Sequence, residues 1–360
     1  MNTLRLAIRR LMQLIPFVLL LSCSLDGPPG GLQPVRVSDR VRYDSDDPAI
    51  WINSADPSAS LIVGTDKHSD GALYVFDLEG QELAHKTIRG LQRPNNVDVA
   101  YGIILNGSPV DIAVVTERER QRLRLFALPT MDAVDGGEGI PVFVGESDRR
   151  VMGIGLYRRP SDGETFAIVS RKSGPSGSYL WQYRLHDDGT GRVVGTHVRS
   201  FGIFSGSGEI EAIAVDDELG FVYYSDELAG IRKYHADPNH PDAATQLAFF
   251  GRNDFARDRE GISIYDLGDG TGYLLISDQQ SDSMNIYARE GGPGGPHDHQ
   301  LVKTVRLAAS RSDGNEVTSR ALSPLYPGGL FVVMSDDRTF HYYSWRQIAE
   351  ASGTRLRYRE

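Results

Sequence analysis

The segment Gly64–Gly80 reads GTDKHSDGALYVFDLEG. Its second half holds a short strand, LYVF, whose fourth residue is aromatic, and the turn residues Asp77 and Gly80 follow it. The same pattern returns as LRLF, LWQY, IRKY, MNIY and FHYY, which sets Phe76, Phe126, Tyr183, Tyr234, Tyr287 and Tyr343 in register. The spacings are 50, 57, 51, 53 and 56 residues. From residue 41 onward apolar and polar residues alternate in short runs broken by Gly, Pro, Asn and Asp, and no long helical period appears before the C-terminal end. A period of about fifty residues, each holding about four short strands, is the pattern of a propeller blade. The chain is therefore expected to be all-β: a six-bladed β-propeller of four-stranded antiparallel blades. The last repeat lacks one strand, because FHYYSW is followed by RQIAEASGTRLRYRE, a brief helix and tail. The stretch QPVRVSD, Gln33–Asp39, can supply the missing edge, closing the ring and covering both exposed edges.

With 360 residues the chain has the length of two average domains, but the repeat assigns residues 41–348 to one propeller, with 349–360 as a tail. A content of 40% hydrophobic and 24% charged residues is enough for a full core. Residues 1–22 read as a signal peptide: arginines, no acid, then an apolar run too short to span a bilayer comfortably. The run ends in Leu20-Leu21-Ser22-Cys23, which resembles a bacterial lipobox, so Cys23 is the expected lipidation site and residues 23–40 a linker containing the closing strand. Cys23 is the only cysteine, and no intrachain disulfide can form. The expected location is outside the cytoplasm, as a cell-envelope lipoprotein or a secreted protein, touching membrane only through the anchor. Loss of three signal arginines leaves 35 basic against 48 acidic side chains, a net charge of −13. Such a surface excludes nucleic acid as a partner, and an anionic ligand needs a local basic patch or bound cations.

Lys67 stands where a buried strand runs out. The equivalent strand ends are Thr65-Asp66-Lys67, Thr116-Glu117-Arg118, Ser170-Arg171-Lys172, Ser225-Asp226-Glu227, Ser277-Asp278-Gln279 and Ser335-Asp336-Asp337. Their third positions give three cations on consecutive blades and then three oxygen ligands. A second ring comes from the starts of the inner strands, near Asp47, Asn96, Met152, Glu211, Glu260 and Thr318. This places Asp47, Glu211 and Glu260 together at the channel, with Asp46 and Asp258 just outside. Clustered carboxylates repel unless protonated or neutralised by metal. Hard oxygen donors without Cys or a His cluster fit Ca²⁺ better than zinc. The cations Lys67, Arg118 and Lys172 face them as ligands for an anion, and phosphate is the natural one. Arg171, on the other face of its strand, reads as a tolerant surface residue.

DSDDPAIWINSADPSASLIVGTDKHSDGALYVFDLEG, RPNNVDVAYG, EAIAVDDELGFVYYSDE and DREGISIYDLGDGTGYLLISDQ resemble the β-propeller phytases, six-bladed calcium-dependent phosphatases that act on phytate. The resemblance covers about residues 41–348. It implies several calcium ions held by Asp46, Asp47, Glu211, Glu227, Asp258, Glu260 and Gln279. It implies catalysis by Lys67, Arg118, Lys172 and Glu211, and substrate contacts from Lys67, His68, Arg118, Lys172 and Asn96. The implied reaction is hydrolysis of phosphate monoesters of calcium phytate by metal-activated water, performed by a monomer, as in a 3-phytase. The chain departs from the family pattern at His68, where a second lysine is expected, and at Met152, where a tyrosine is. In the sixth blade SRSDGNEVTSR offers only Asp313 and Glu316, and Asp336-Asp337-Arg338 replaces a later Asp-Gly-x-Asn. Two other readings fit a calcium propeller: a lactonase- or esterase-like hydrolase, which has no use for three aligned cations, and a non-catalytic propeller that binds a phosphorylated ligand.

Overall fold

The computed structural model describes residues 30–351, 353 and 356–359. The signal segment and Cys23 lie outside the described residues. Six antiparallel four-stranded sheets follow one another along the chain. The first blade comprises β2 (Ser45–Trp51), β3 (Leu61–Asp66), β4 (Gly71–Phe76) and β5 (Ile88–Leu91). The sixth comprises β22 (Asn315–Thr318), β23 (Leu330–Ser335) and β24 (Thr339–Ser344), and its fourth strand is β1 (Arg36–Val37) from the opposite end of the chain. Arg36 pairs with Tyr342 and Val37 with His341, and flanking bonds from Val35 N–H to Tyr342 O at 2.7 Å and from Ser38 N–H to Phe340 O at 2.9 Å extend the seam. The ring is thus closed by the N-terminal strand, as expected. The only α-helix among the described residues, α1 (Trp345–Ala351), buries Trp345, Ile348 and Ala349, and the tail beyond it accepts a hydrogen bond from Trp345 Nε1 at Arg357 O.

The six repeated aromatics explain why the blades stay together. Each lies on the third strand of its blade, and all are at most 4% exposed. Each also packs into a core shared with the preceding blade: Phe126 with Trp51 and Val63, Tyr183 with Val114 and Leu123, Tyr234 with Ile168 and Leu180, Tyr287 with Tyr223 and Ile231, and Tyr343 with Leu275 and Ile286. Phe76 packs with Val332 and Tyr342 of the sixth blade, which completes the circuit. A phenol buried this way needs a partner for its hydroxyl. The connecting segments provide it: Tyr183 Oη accepts from Phe143 N–H at 2.7 Å, and Tyr343 Oη from Ala309 N–H at 3.1 Å.

The inner strands carry the feature that matters for function. In four of them the register slips at the same place, between Ser45 and Pro48, Pro94 and Val97, Val151 and Ile154, and Arg259 and Ile262. A bulge re-aims a side chain that regular alternation would bury or send elsewhere. The sixth blade departs from expectation: its inner strand begins at Asn315, and Thr318 ends it instead of starting it. The alternation around Thr318 belongs to the far half of a short strand, which is why it misled.

Beginning the chain at residue 41 removes β1 and bares the edge of β24. The expected outcome is a melting temperature lower by several degrees together with self-association through that edge, read by calorimetry and size-exclusion chromatography. An unchanged melting temperature in a monodisperse protein would show that closure does not depend on this strand.

Candidate active site

Three rings of residues converge at one mouth of the central channel, and backbone hydrogen bonds fix their register. Where the second strand of each blade ends, the third residue donates its N–H to the residue leading into the inner strand. The pairs are Lys67 to Asp44 at 2.7 Å, Arg118 to Arg93 at 3.1 Å, Lys172 to Arg150 at 2.8 Å, Glu227 to Glu209 at 3.1 Å and Gln279 to Asp258 at 3.3 Å. In the sixth blade the donor is Asp336, to Ser310, so Asp337 lies one residue out of this ring. Two residues beyond each leading residue come Asp46, Asn95, Met152, Glu211 and Glu260, and in all but the fourth blade that residue lies in the bulge. The Thr and Ser hydroxyls before the strand ends lock these positions between blades. Thr65 Oγ1 donates to Asn95 O at 2.7 Å, Thr116 Oγ1 to Met152 O at 2.8 Å and Ser225 Oγ to Glu260 O at 2.9 Å.

The bulge moves two residues from their expected places. Asp46 and Asn95 stand in the ring with Glu211 and Glu260, whereas Asp47 and Asn96 turn into the channel, a cavity of ≈210 Å³ that Asp98 and Glu316 also line. Asn95, and not the Asn96 expected to contact substrate, faces the charged residues: its Nδ2 donates to Glu211 Oε1 and its Oδ1 accepts from Arg118 Nη2. Asn96 Oδ1 accepts from Asn95 Nδ2 at 2.9 Å, and Asp47 Oδ2 accepts from Val97 N–H at 3.0 Å.

Lys67 is not on a wall opposite the carboxylates; it sits among them. Its ammonium contacts Asp46 Oδ1, lies 3.2 Å from Asp313 Oδ2 and is 3.9 Å from Glu211 Oε1. Asp313 in turn accepts from Gln279 Nε2. Lys172 pairs with Glu209, whose N–H donates to Glu227 Oε2 at 2.7 Å. Gly208 has φ 71°, and a Cβ there would run into the Glu227 carboxylate, so glycine permits this close approach. His68 stands apart from this cluster in its contacts. Its ring stacks on Tyr43 with centroids 3.9 Å apart, and its Nδ1 accepts from Asp70 N–H. Met152 is buried and engages the site through its carbonyl alone.

The acids outnumber the cations, and their protonation shows it. Burial pushes Glu260 well above the usual carboxylate range, and Glu211, Asp313 and Glu227 push it further than Lys67 can offset. Burial likewise raises Asp46, Glu227 and Asp313. Glu211 is the exception: burial favours its neutral form, but Lys67, Arg118, the Asn95 amide and Lys172 together bring it below its ordinary value. Glu227, Asp258 and Glu260 present carboxylate oxygens that all lie within 4.8 Å of one another. Asp46 Oδ2 and Glu209 Oε2 are buried without a hydrogen-bond partner. Hard oxygens with open lone pairs and excess negative charge are a donor set that suits Ca²⁺. Among the expected ligands, Glu211, Glu227, Asp258, Glu260 and Asp46 meet here with Gln279, while Asp47 faces the channel. Glu209 joins them without having been singled out from the sequence, and Asp313, noted there only as what the sixth blade offers in place of the family's acidic run, joins them too.

Arg171 corrects the reading of its strand. It does point away from the cleft, but into the seam between blades, where it is 1% exposed. Its Nη1 donates to Glu146 Oε2 at 2.6 Å, and the guanidinium lies 4.9 Å from the Phe143 ring centroid. Arg171→Ala is therefore expected to cost about 1.5–3 kcal/mol of stability, the scale of a lost hydrogen bond to a charged group, since the partner Glu146 is half-exposed. A lowered melting temperature with normal ligand binding at low temperature is the expected result; full stability would contradict the structural role.

A family model described as Phytase matches residues 33–356. The chain is also 30% identical over 328 residues to the "3-phytase" of Bacillus subtilis (strain 168), an alignment that covers 86% of this chain and 81% of that one.

Proposed function

The chain belongs to the phytase family, and we propose on that premise that it removes phosphate from phytate in a calcium-dependent hydrolysis at the channel mouth. The observation that carries this reading is the asymmetry of the rings: Lys67, Arg118 and Lys172 on three consecutive blades, and Glu227, Asp258 and Glu260 on the next two. A lactonase-like site needs acids and amides but no such cationic arc, and a polyanionic substrate needs both the arc and a neutralised acidic wall.

Calcium held by Glu227, Asp258, Glu260 and their neighbours would supply the positive charge that lets a phosphate ester approach this wall and would polarise its oxygens. The protein's own contribution is positioning and charge. Arg118 and Lys172 present donors to phosphoryl oxygens in a partly desolvated cleft, where such contacts act strongly. Glu211, kept ionised, orients Arg118 through Asn95 and steadies Lys67. In the overall reaction the oxygen of water joins phosphorus, the phosphorus–oxygen ester bond breaks, and a proton passes from water to the departing inositol oxygen. Export and lipid anchoring at Cys23, with a monomeric protein, complete the reading.

The direct test is phosphate release from phytate by the purified protein with calcium and then with chelator. Release that disappears with chelator and returns with calcium is expected; equal release in both would overturn the calcium-dependent reading. Lys67→Ala is expected to slow hydrolysis about a hundred- to a thousandfold. Because Lys67 lies among the acids, the same change removes the cation that Asp46, Glu211 and Asp313 share, so the stabilisation by calcium should grow instead of staying constant.

A further inference from the structure

Arg93 takes part in none of the side-chain contacts described above. Its backbone is fastened on both sides: its N–H donates to His68 O at 2.8 Å, and its carbonyl accepts from Arg118 N–H at 3.1 Å. These bonds place it between the strand ends that carry Lys67 and Arg118. Its φ is 56°, in the left-handed region that residues with a Cβ avoid. The next residue is Pro94, whose ring restricts it further. Glycine would occupy this position without that penalty, so what arginine adds is its guanidinium.

Among the described residues that guanidinium has no side-chain partner. Its Nε is buried and without a partner, and no described carboxylate forms an ion pair with it. The leading residue of the next blade behaves differently: Arg150 is paired with Asp148 through its own loop, at 2.6 Å. Beside Arg93, Arg118 also has a buried, unpartnered Nε. Burial favours the neutral form of Arg118, and the charge of Arg93 adds to that against Glu211 and Asp46. Two adjacent cations with vacant buried donors are unfavourable alone. An anion with several oxygens satisfies both at once, and planar guanidinium donors match phosphate oxygens well.

We propose that Arg93 is a substrate-binding residue that, together with Arg118, grips the oxygens of one phosphate group of the substrate. This rests on the phytase reading of the same site. The test compares the wild-type protein with Arg93→Gly, Arg93→Lys and Arg120→Ala in calcium buffer. It measures KM and kcat for phytate, the competitive inhibition constant of inorganic phosphate, and the melting temperature without ligand. Arg120 is exposed and already donates to Gln92 Oε1 at 2.9 Å, so it controls for loss of a nearby charge.

Arg93→Gly is expected to raise both KM and the phosphate inhibition constant about ten- to a hundredfold, the scale of a lost hydrogen bond to a charged group. Its melting temperature should equal or exceed that of wild type, because glycine suits the left-handed backbone. Arg93→Lys should fall between, and Arg120→Ala should match wild type. Unchanged KM and phosphate inhibition in Arg93→Gly, or losses that track a fall in melting temperature, would overturn the assignment. A wild-type protein that neither hydrolyses phytate nor binds phosphate would instead overturn the functional reading, and this inference with it.

Discussion

The ammonium of Lys67 is gripped by Asp46, Asp313 and Glu211, and the charge balance of that knot governs the rest of the site. One lysine cannot neutralise these acids together with Glu260 and Glu227 close by. In water the acids would move apart, but here their backbones cannot. Thr65 and Ser225 fasten the neighbouring blades through Asn95 O and Glu260 O, and the inner-strand bulges are held by sheet pairing on both sides. The protein can respond only by keeping protons on Asp46 and Glu260 or by accepting cations. A cluster held in this way is poised to exchange protons for metal.

A propeller is nearly symmetric, and its function resides in the departures from symmetry. Each of the first five blades offers the mouth a strand-end residue, a leading residue and the residue two places beyond it. Where the first three blades place Lys67, Arg118 and Lys172, the fourth and fifth place Glu227 and Gln279. Where the second blade places Arg93, the fifth places Asp258. The rings thus acquire an electropositive arc and an acidic arc by exchange of side chains at matched positions, with Glu211 and Lys67 bridging between them. The sixth blade lies outside the pattern by one residue and contributes through Asp313, which reaches both Lys67 and Gln279.

The spaced aromatics were enough to read the architecture from sequence, because each must fill the same seam between successive blades. The strand-end cations were equally readable, since the Thr or Ser two residues earlier marks the register. The ring positions of Asp46 and Asn95 were not: Asp46 was expected as a ligand just outside Asp47, and Asn96 was chosen over Asn95, because a bulge adds a residue that strict alternation cannot anticipate. Arg93 and Glu209 precede their strands, where no hydrophobic period exists to align them; the repeated backbone bonds reveal them. Arg171 shows the opposite error. Alternation correctly turned it away from the cleft, but in a propeller the other face of a strand is a packed seam, here against Phe143 and Glu146.

Buried acids in excess of their cations make the mouth a cation site, and thermal unfolding against pH reads that excess. Raised carboxylates stabilise the fold while protonated and lose that contribution as they ionise. Asp46, Glu227, Glu260 and Asp313 are all raised, so their contribution is full below the ordinary carboxylate values of about 4 and falls as pH increases. In chelator the melting temperature should therefore decline from pH 4 towards pH 7, although Glu211 opposes the trend. With saturating calcium the decline should vanish, so that the stabilisation by calcium widens with pH, and Glu260→Gln should remove most of that widening. A melting temperature that is identical with calcium and with chelator at every pH would show that the mouth is not a cation site.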